Sequence, residues 1–184
     1  EMALPCSRLV LATSSISAMT RCVSVTTAAI ELRAFTVEEH RAALASVGTD
    51  EEEQFEQYRR AVEGMKGLPV TIRTVDVGAD KPLDEARHDA AHLNPALGLR
   101  AIRWSLTDPE MFLTQLRAIL RVAALGKVNL LVPMLAHASE IHQTVALVKQ
   151  AQLDLDARGV AYGPVQLGAM IEIPAAALSL KLFL

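Results

Sequence analysis

From residue 49 onward the spacing of apolar positions switches repeatedly between a helical and an extended period. "TDEEEQFEQYRRAVEGM" opens with Thr49 as a candidate N-cap, Glu52 three residues on, and acids through the first turn. Phe55, Tyr58 and Val62 then mark one helical face, and Gly64 and Gly67 stop the helix. An apolar strand over 70–77 follows. "SLTDPEMF" announces a second helix, with Thr107 as N-cap, Pro109 in the first turn and Glu110 completing a capping box. That helix runs through "LTQLRAILRVAAL" to Gly126.

"KVNLLVPML" is a short continuous apolar run, the pattern of a strand buried on both faces. "HASEIHQTVALVKQAQLDLDARG" predicts a third helix closed by Gly159, and "VQLGAMIE" another buried strand. Pro174 begins a further helix, and "EIPAAALSLKLFL" carries no Gly, Asn or Pro stop signal, so the chain is expected to continue beyond it. Between 80 and 105 lies a long connection with Pro82, Pro95 and Gly98; loops of that length commonly form part of a site. Residues 1–35 are rich in Ser, Thr, Ala and Val without a clear period, and no element is assigned there.

Strand and helix in alternation mean parallel βαβ units, hence an α/β fold. A doubly wound sheet and a (β/α)8 TIM barrel both fit that rhythm. No glycine-rich phosphate fingerprint follows a strand, which weakens the nucleotide-binding version. Polar residues gather instead at strand C-terminal ends, where a barrel builds its site. A whole barrel takes about 250 residues, so the expectation is a partial barrel, about half of one. It occupies 49–184, is truncated at its C-terminal end, and follows a poorly assignable segment over 1–48.

Half of the residues are hydrophobic and the net charge is only −3. That is enough for one core and argues against a nucleic-acid surface, which needs clustered Lys and Arg. No apolar run approaches the ~20 residues that span a bilayer, so no membrane insertion is expected. The leading Glu1 and the Ser and Thr interrupting the first apolar stretch argue against a signal peptide. Cys6 and Cys22 make neither a disulfide framework nor a metal-ligand spacing, which points to a reducing, cytoplasmic compartment.

The chemistry concentrates in "VTIRTVDVGADKPL", where a strand patterned for burial carries Arg73 and Asp76. A buried arginine needs a partner, and Asp76 or Asp80 could serve. Alternatively its planar fork grips a phosphate or carboxylate. Arg100 and Arg103, three residues apart, add two guanidinium groups, and the set suits a small, doubly anionic ligand. Glu172, at the end of the last strand and just before Pro174, reads either as an acid favoured by a helix N-terminus or as a hard oxygen ligand for Mg²⁺. His40, His88, His92, His137 and His142 show no zinc spacing; His137 reads as the start of a helix. No G-x-S-x-G elbow is present.

Six blocks, "TDEEEQFEQYRRAVEGM", "VTIRTVDVGADKPL", "NPALGLRAIR", "FLTQLRAILR", "LLVPML" and "GAMIEIPAAAL", stand in an order and at intervals that closely resemble one family. It is that of enzyme I, the phosphoenolpyruvate–protein phosphotransferase of the bacterial sugar phosphotransferase system. The resemblance covers 49–184. It implies a barrel that binds phosphoenolpyruvate with Mg²⁺ at its C-terminal face. Arg73 and Arg100 match arginines that bind the substrate phosphate, and Glu172 matches one of two carboxylate metal ligands. Asp76, Asp80 and Lys81 would hold the strand-end loop. No catalytic residue is assigned within the chain. It further implies partners in the parent protein: a histidine-bearing N-terminal domain that takes the phosphoryl group, a small phosphocarrier protein that receives it in sugar uptake, and a second copy in a homodimer.

The resemblance also has departures. An upstream F-R-T-E-F-like block is not recognisable, and "AIELRAF" with Arg33 lies near its place. The N-D block with the second metal carboxylate, a later arginine, a proton-donating cysteine and the phosphohistidine segment are not in this sequence. The expectation is that the chain alone is inactive. Three alternatives stay open: a phosphoenolpyruvate synthase or pyruvate phosphate dikinase type of barrel, a carbon–carbon lyase barrel acting on an oxoacid, and a non-catalytic structural or dimerisation module.

Overall fold

The computed structural model describes residues 10–13, 50–76 and 97–183. Four strands, β1 (Val10–Thr13), β2 (Val70–Arg73), β3 (Val128–Val132) and β4 (Val165–Ile171), form one sheet in the order β1-β4-β3-β2. Every pairing is parallel. β2, β3 and β4 are neighbours in chain order, joined by helical crossovers as parallel strands require. β1 is earliest in the chain, yet it pairs with β4 at the edge opposite β2. No strand was expected there, because four residues inside a Ser/Thr-rich segment carry no period of their own.

Helices α1 (Glu51–Gly64), α3 (Pro109–Val122) and α4 (Ala138–Ala157) lie side by side with α3 in the middle. The short helix α2 (Ala101–Thr107) packs on α3 and α4. It begins inside what the sequence reads as one long connection and runs two residues past it, its seven residues being too few for a clear period. α5 (Pro174–Leu178) starts at Pro174 as expected but ends after five residues, and a 3₁₀ turn, Leu180–Leu182, follows.

The helix starts shift from the sequence reading by one residue. Asp50, not Thr49, caps α1, its carboxylate accepting from the Glu53 amide at 2.9 Å; Thr49 lies outside the described residues. Asp108, not Thr107, caps α3 through the Met111 amide at 3.2 Å. Thr107 instead closes α2, its hydroxyl donating to the Trp104 carbonyl. In each case a carboxylate one residue further on supplies the acceptor, a stronger one than a hydroxyl for a helix N-terminus. α4 ends as the sequence predicts. Gly159, at φ +64°, donates to Asp156 O while Val160 donates to Leu155 O, the paired bonds of a Schellman motif.

Phe112, Leu116, Ile119 and Leu120 of α3 form the core with Val128, Leu130 and Val132 of β3, Ile72 of β2 and Leu155 of α4. β3 alternates: its core-side residues are buried while Asn129 and Leu131 are half-buried. The expectation of burial on both faces is thus corrected, since among the described residues helices cover only the first face. On the other face the register aligns Thr71, Asn129 and Gln166 in one row and Arg73, Leu131 and Gly168 in the next. Asn129 Nδ2 donates to Thr71 Oγ1 at 3.2 Å across that first row. Arg73 therefore stands on the side of the sheet away from the core.

A network of charges fastens the helix layer at one end. Glu51, the first residue of α1, accepts from Arg117 (2.9 Å), Arg121 (2.9 Å) and Arg158 (2.7 Å). Arg121 also bonds Glu52 and lies over the Phe55 ring, 4.2 Å from its centroid. Arg117 reaches on to Asp154 of α4. Burial works to raise the Glu51 carboxyl pKa, but the hydrogen bonds from Arg158, Arg117 and Arg121 outweigh it and hold the group at about 2.

Candidate anion and metal site at the C-terminal edge of the sheet

Parallel strands end together, so Arg73 at the end of β2, the residues after β3, and Glu172 after β4 share one edge of the sheet. At the β2 side a buried carboxylate organises two cations. Asp76 Oδ1 accepts from Arg100 at Nη2 (2.8 Å) and Nε (3.3 Å), and Asp76 Oδ2 pairs with Arg73 Nη1 at 3.5 Å. The Asp76 side chain is 8% exposed, that of Arg100 12% and that of Arg73 32%. Two guanidinium groups thus meet on one carboxylate at the mouth of a strand. Arg103 lies on α2, one turn from Arg100, and is half-buried.

At the β4 side, Glu172 Oε1 accepts from the Met134 amide at 2.7 Å. Met134 holds a left-handed backbone, φ +59°, which is costly for a side chain of that size. The turn of chain after β3 is aimed so that its amide meets the carboxylate. Ala101, fully buried directly after Arg100, also has a left-handed φ of +48°. Among the described residues, two of the three non-glycine residues with positive φ thus adjoin this edge, the third, Lys66, lying just past the end of α1. Glu140 fastens the same β3–α4 loop, its Oε2 accepting from the amides of Ala136 (2.7 Å) and His137 (3.0 Å).

The donor set suits a hard divalent cation in one limited way. One oxygen of Glu172 is committed to Met134, and among the described residues no hydrogen bond engages the other. No group of three or more His, Cys, Asp or Glu side chains capable of holding a metal occurs among the described residues. A magnesium ion here would need most of its ligands from substrate oxygens and water, which is its usual habit.

A family model described as PEP-utilising enzyme, PEP-binding domain, matches residues 35–184. The chain belongs to that family. Several curated relatives of the chain are named phosphoenolpyruvate-protein phosphotransferase. The one from Cupriavidus necator is 69% identical over 137 residues, covering 73% of this chain and 23% of its own length. That from Mycoplasma capricolum is 43% identical over 129 residues, covering 70% and 22%. That from Staphylococcus carnosus is 42% identical over 134 residues, covering 72% and 23%. The chain thus spans less than a quarter of the length of these relatives.

Within this PEP-binding domain the structure brings Arg73 and Arg100 together on one carboxylate and sets Glu172 on the same edge of the sheet, fastened from the β3 side. Asp76 pairs with both arginines just past the end of β2. Asp80, Lys81, His40, His88 and His92 lie outside the described residues, as do Cys6, Cys22 and Arg33. His137 occupies the N-cap of α4, where its backbone rather than its ring is bonded. No helix among the described residues is long and apolar enough to cross a membrane.

Sequence reasoning missed Gln115, Tyr58 and Met134. A signal existed for the first: Gln115 interrupts the apolar stripe of α3, between Leu113 and Leu116, and is 5% exposed. A buried amide at such a position must have partners. Met134 carried no signal, since a left-handed methionine is not marked by any residue type.

Proposed function

We propose that this chain is the phosphoenolpyruvate- and Mg²⁺-binding portion of a phosphoenolpyruvate–protein phosphotransferase. On this reading the parent passes the phosphoryl group to a histidine on another of its domains and on to a phosphocarrier protein in sugar uptake, in the cytoplasm. The parallel strands β2, β3 and β4, with helices on one face, are read as an arc of a (β/α)8 barrel whose open face is the barrel interior.

The observation that carries the reading is the pairing of two guanidinium groups on Asp76 at the strand edge that also bears Glu172. A phosphate displaces neither arginine from Asp76 in this scheme; it meets forks already oriented by the carboxylate. Phosphoryl transfer is chiefly positioning and neutralisation of charge on the phosphoryl oxygens, and the two arginines provide both. The Glu172 oxygen not engaged by Met134 would hold Mg²⁺, whose charge adds stabilisation of the phosphoryl oxygens when bound.

The test is isothermal titration of phosphoenolpyruvate into the full-length parent with and without Mg²⁺. Glu172→Ala should abolish the Mg²⁺-dependent part, and Arg100→Met should weaken binding by at least tenfold, as loss of a charge-assisted pair implies. Unchanged Mg²⁺-dependent binding in Glu172→Ala would remove the metal role, and unchanged affinity in Arg100→Met the phosphate role.

A further inference from the structure

β2 is the edge strand of the sheet among the described residues, opposite β1. Just beyond it the Thr74 amide still donates to Leu131 O of β3, at 2.9 Å. The next amide, that of Val75, faces no strand among the described residues, and Val75 is 7% exposed, so an unmet N–H there would be costly. A side chain meets it. Gln115 Oε1, from α3, accepts from Val75 N at 3.1 Å. The same amide group donates through Nε2 to the Tyr58 hydroxyl of α1 at 3.0 Å. Burial raises the Tyr58 pKa, with the Gln115 hydrogen bond working against it, so the phenol stays neutral.

Gln115 thus performs for Val75 what a further strand would do for a ladder amide. The Val75 N–H can only donate, so it selects the oxygen end of the Gln115 amide; the Tyr58 hydroxyl, which can donate or accept, takes the Nε2–H at the other end and braces the group there. The residue after Val75 is Asp76, the carboxylate on which Arg100 and Arg73 converge.

We propose that Gln115, braced by Tyr58, is a positioning residue for the Asp76–Arg100–Arg73 group, acting through the Val75 amide rather than by touching ligand. This rests on the reading of that group as the anion site. It makes the register of α1 against α3 part of the binding geometry, since Tyr58 and Gln115 sit on those two helices.

The experiment uses the full-length parent protein in four forms: the parent form, Gln115→Met, Gln115→Glu and Tyr58→Phe. Hydrogen exchange at the Val75 amide and the NMR resonance of Arg100 Nε–H are followed without ligand, and then with phosphoenolpyruvate and Mg²⁺ added. Gln115→Met should speed Val75 exchange about tenfold, as loss of one buried hydrogen bond implies, and shift or broaden the Arg100 resonance. Gln115→Glu should restore both, because a carboxylate accepts from Val75 N–H and from a reoriented Tyr58 O–H alike. Tyr58→Phe should move both in the same direction by less, and it decides the matter if Gln115→Met does not fold. An Arg100 resonance that stays put while Val75 exchange rises overturns the proposal, as does unchanged Val75 exchange. Should phosphoenolpyruvate with Mg²⁺ leave the Arg100 resonance of the parent form unmoved, the reading of the anion site falls instead, and the ligand-free measurements still judge the tether.

Discussion

Arg100 and Asp76 stand 24 positions apart in the chain, yet the Arg100 guanidinium lies 2.8 Å from Oδ1 of Asp76, at the point where β2 leaves the sheet. The long connection between them is thereby closed by an ion pair at its two ends. Arg73 shares the same carboxylate through its other oxygen. The arginine inside a strand patterned for burial is held by a buried acid three residues on, whatever ligand it also meets.

Asp76→Asn should destabilise the fold by about 3 kcal/mol, because it leaves two guanidinium groups around a neutral amide in a buried setting. Urea unfolding would show this as a lower midpoint with an unchanged slope. A change under 1 kcal/mol would mean that water already satisfies these arginines.

Glu172→Gln and Glu172→Ala should separate. The amide oxygen of glutamine can still accept from Met134 N–H, so Glu172→Gln should keep stability within about 1 kcal/mol of the parent form while losing Mg²⁺-dependent ligand binding. Glu172→Ala orphans the Met134 amide and should lose both. Thermal melts paired with ligand titration distinguish the two effects.

Acid should loosen the helix layer through Glu51. Its carboxyl is held at about 2 in the folded chain against an ordinary value of 4.5. A depressed pKa contributes stability above the unfolded value, and that contribution falls away as pH drops from about 4.5 toward 2. After allowance for solvent screening of the partly exposed Arg158 partner, the contribution at neutral pH is on the order of 1–2 kcal/mol. Glu51→Gln should therefore cost a similar amount at pH 7 and flatten the stability profile across that window. Equal acid sensitivity of the two forms would place the effect elsewhere.

Gly163→Ala should lower the melting temperature by an amount equivalent to about 1–3 kcal/mol. A Cβ there would collide with the backbone carbonyl of Ala123, just past the end of α3, and the Gly163 amide donates to Leu120 O at 3.0 Å. The clash is with main chain, so no side chain can give way. Near-unchanged melting would show that the segment ahead of β4 is free to move.

Much of the fold was legible because it is local. The period of apolar residues located α1, β2, α3, β3, α4 and β4, and Gly159 and Pro174 punctuated them through backbone restrictions that belong to those residue types. Capping residues were misplaced by one position, since Thr49, Asp50, Thr107 and Asp108 offer adjacent oxygens and only the chain direction entering each helix selects between them. α2 escaped notice because a helix of seven residues held by packing needs no period of its own.

By itself, the amino-acid sequence determined the alternation of strand and helix, the presence of Arg73, Arg100 and Glu172 near strand ends, and the likeness to a PEP-binding domain. Those are properties of short windows and of residue order. The tertiary structure alone decided that Asp76 joins Arg73 to Arg100, that Met134 turns left-handed to meet Glu172, that Gln115 stands in for a strand beside Val75, and that β1 pairs with β4. Each of these unites groups far apart in the chain, or a side chain with a backbone amide. A hydrogen bond leaves no periodic mark on the sequence; it forms where packing brings a buried donor within reach of an acceptor.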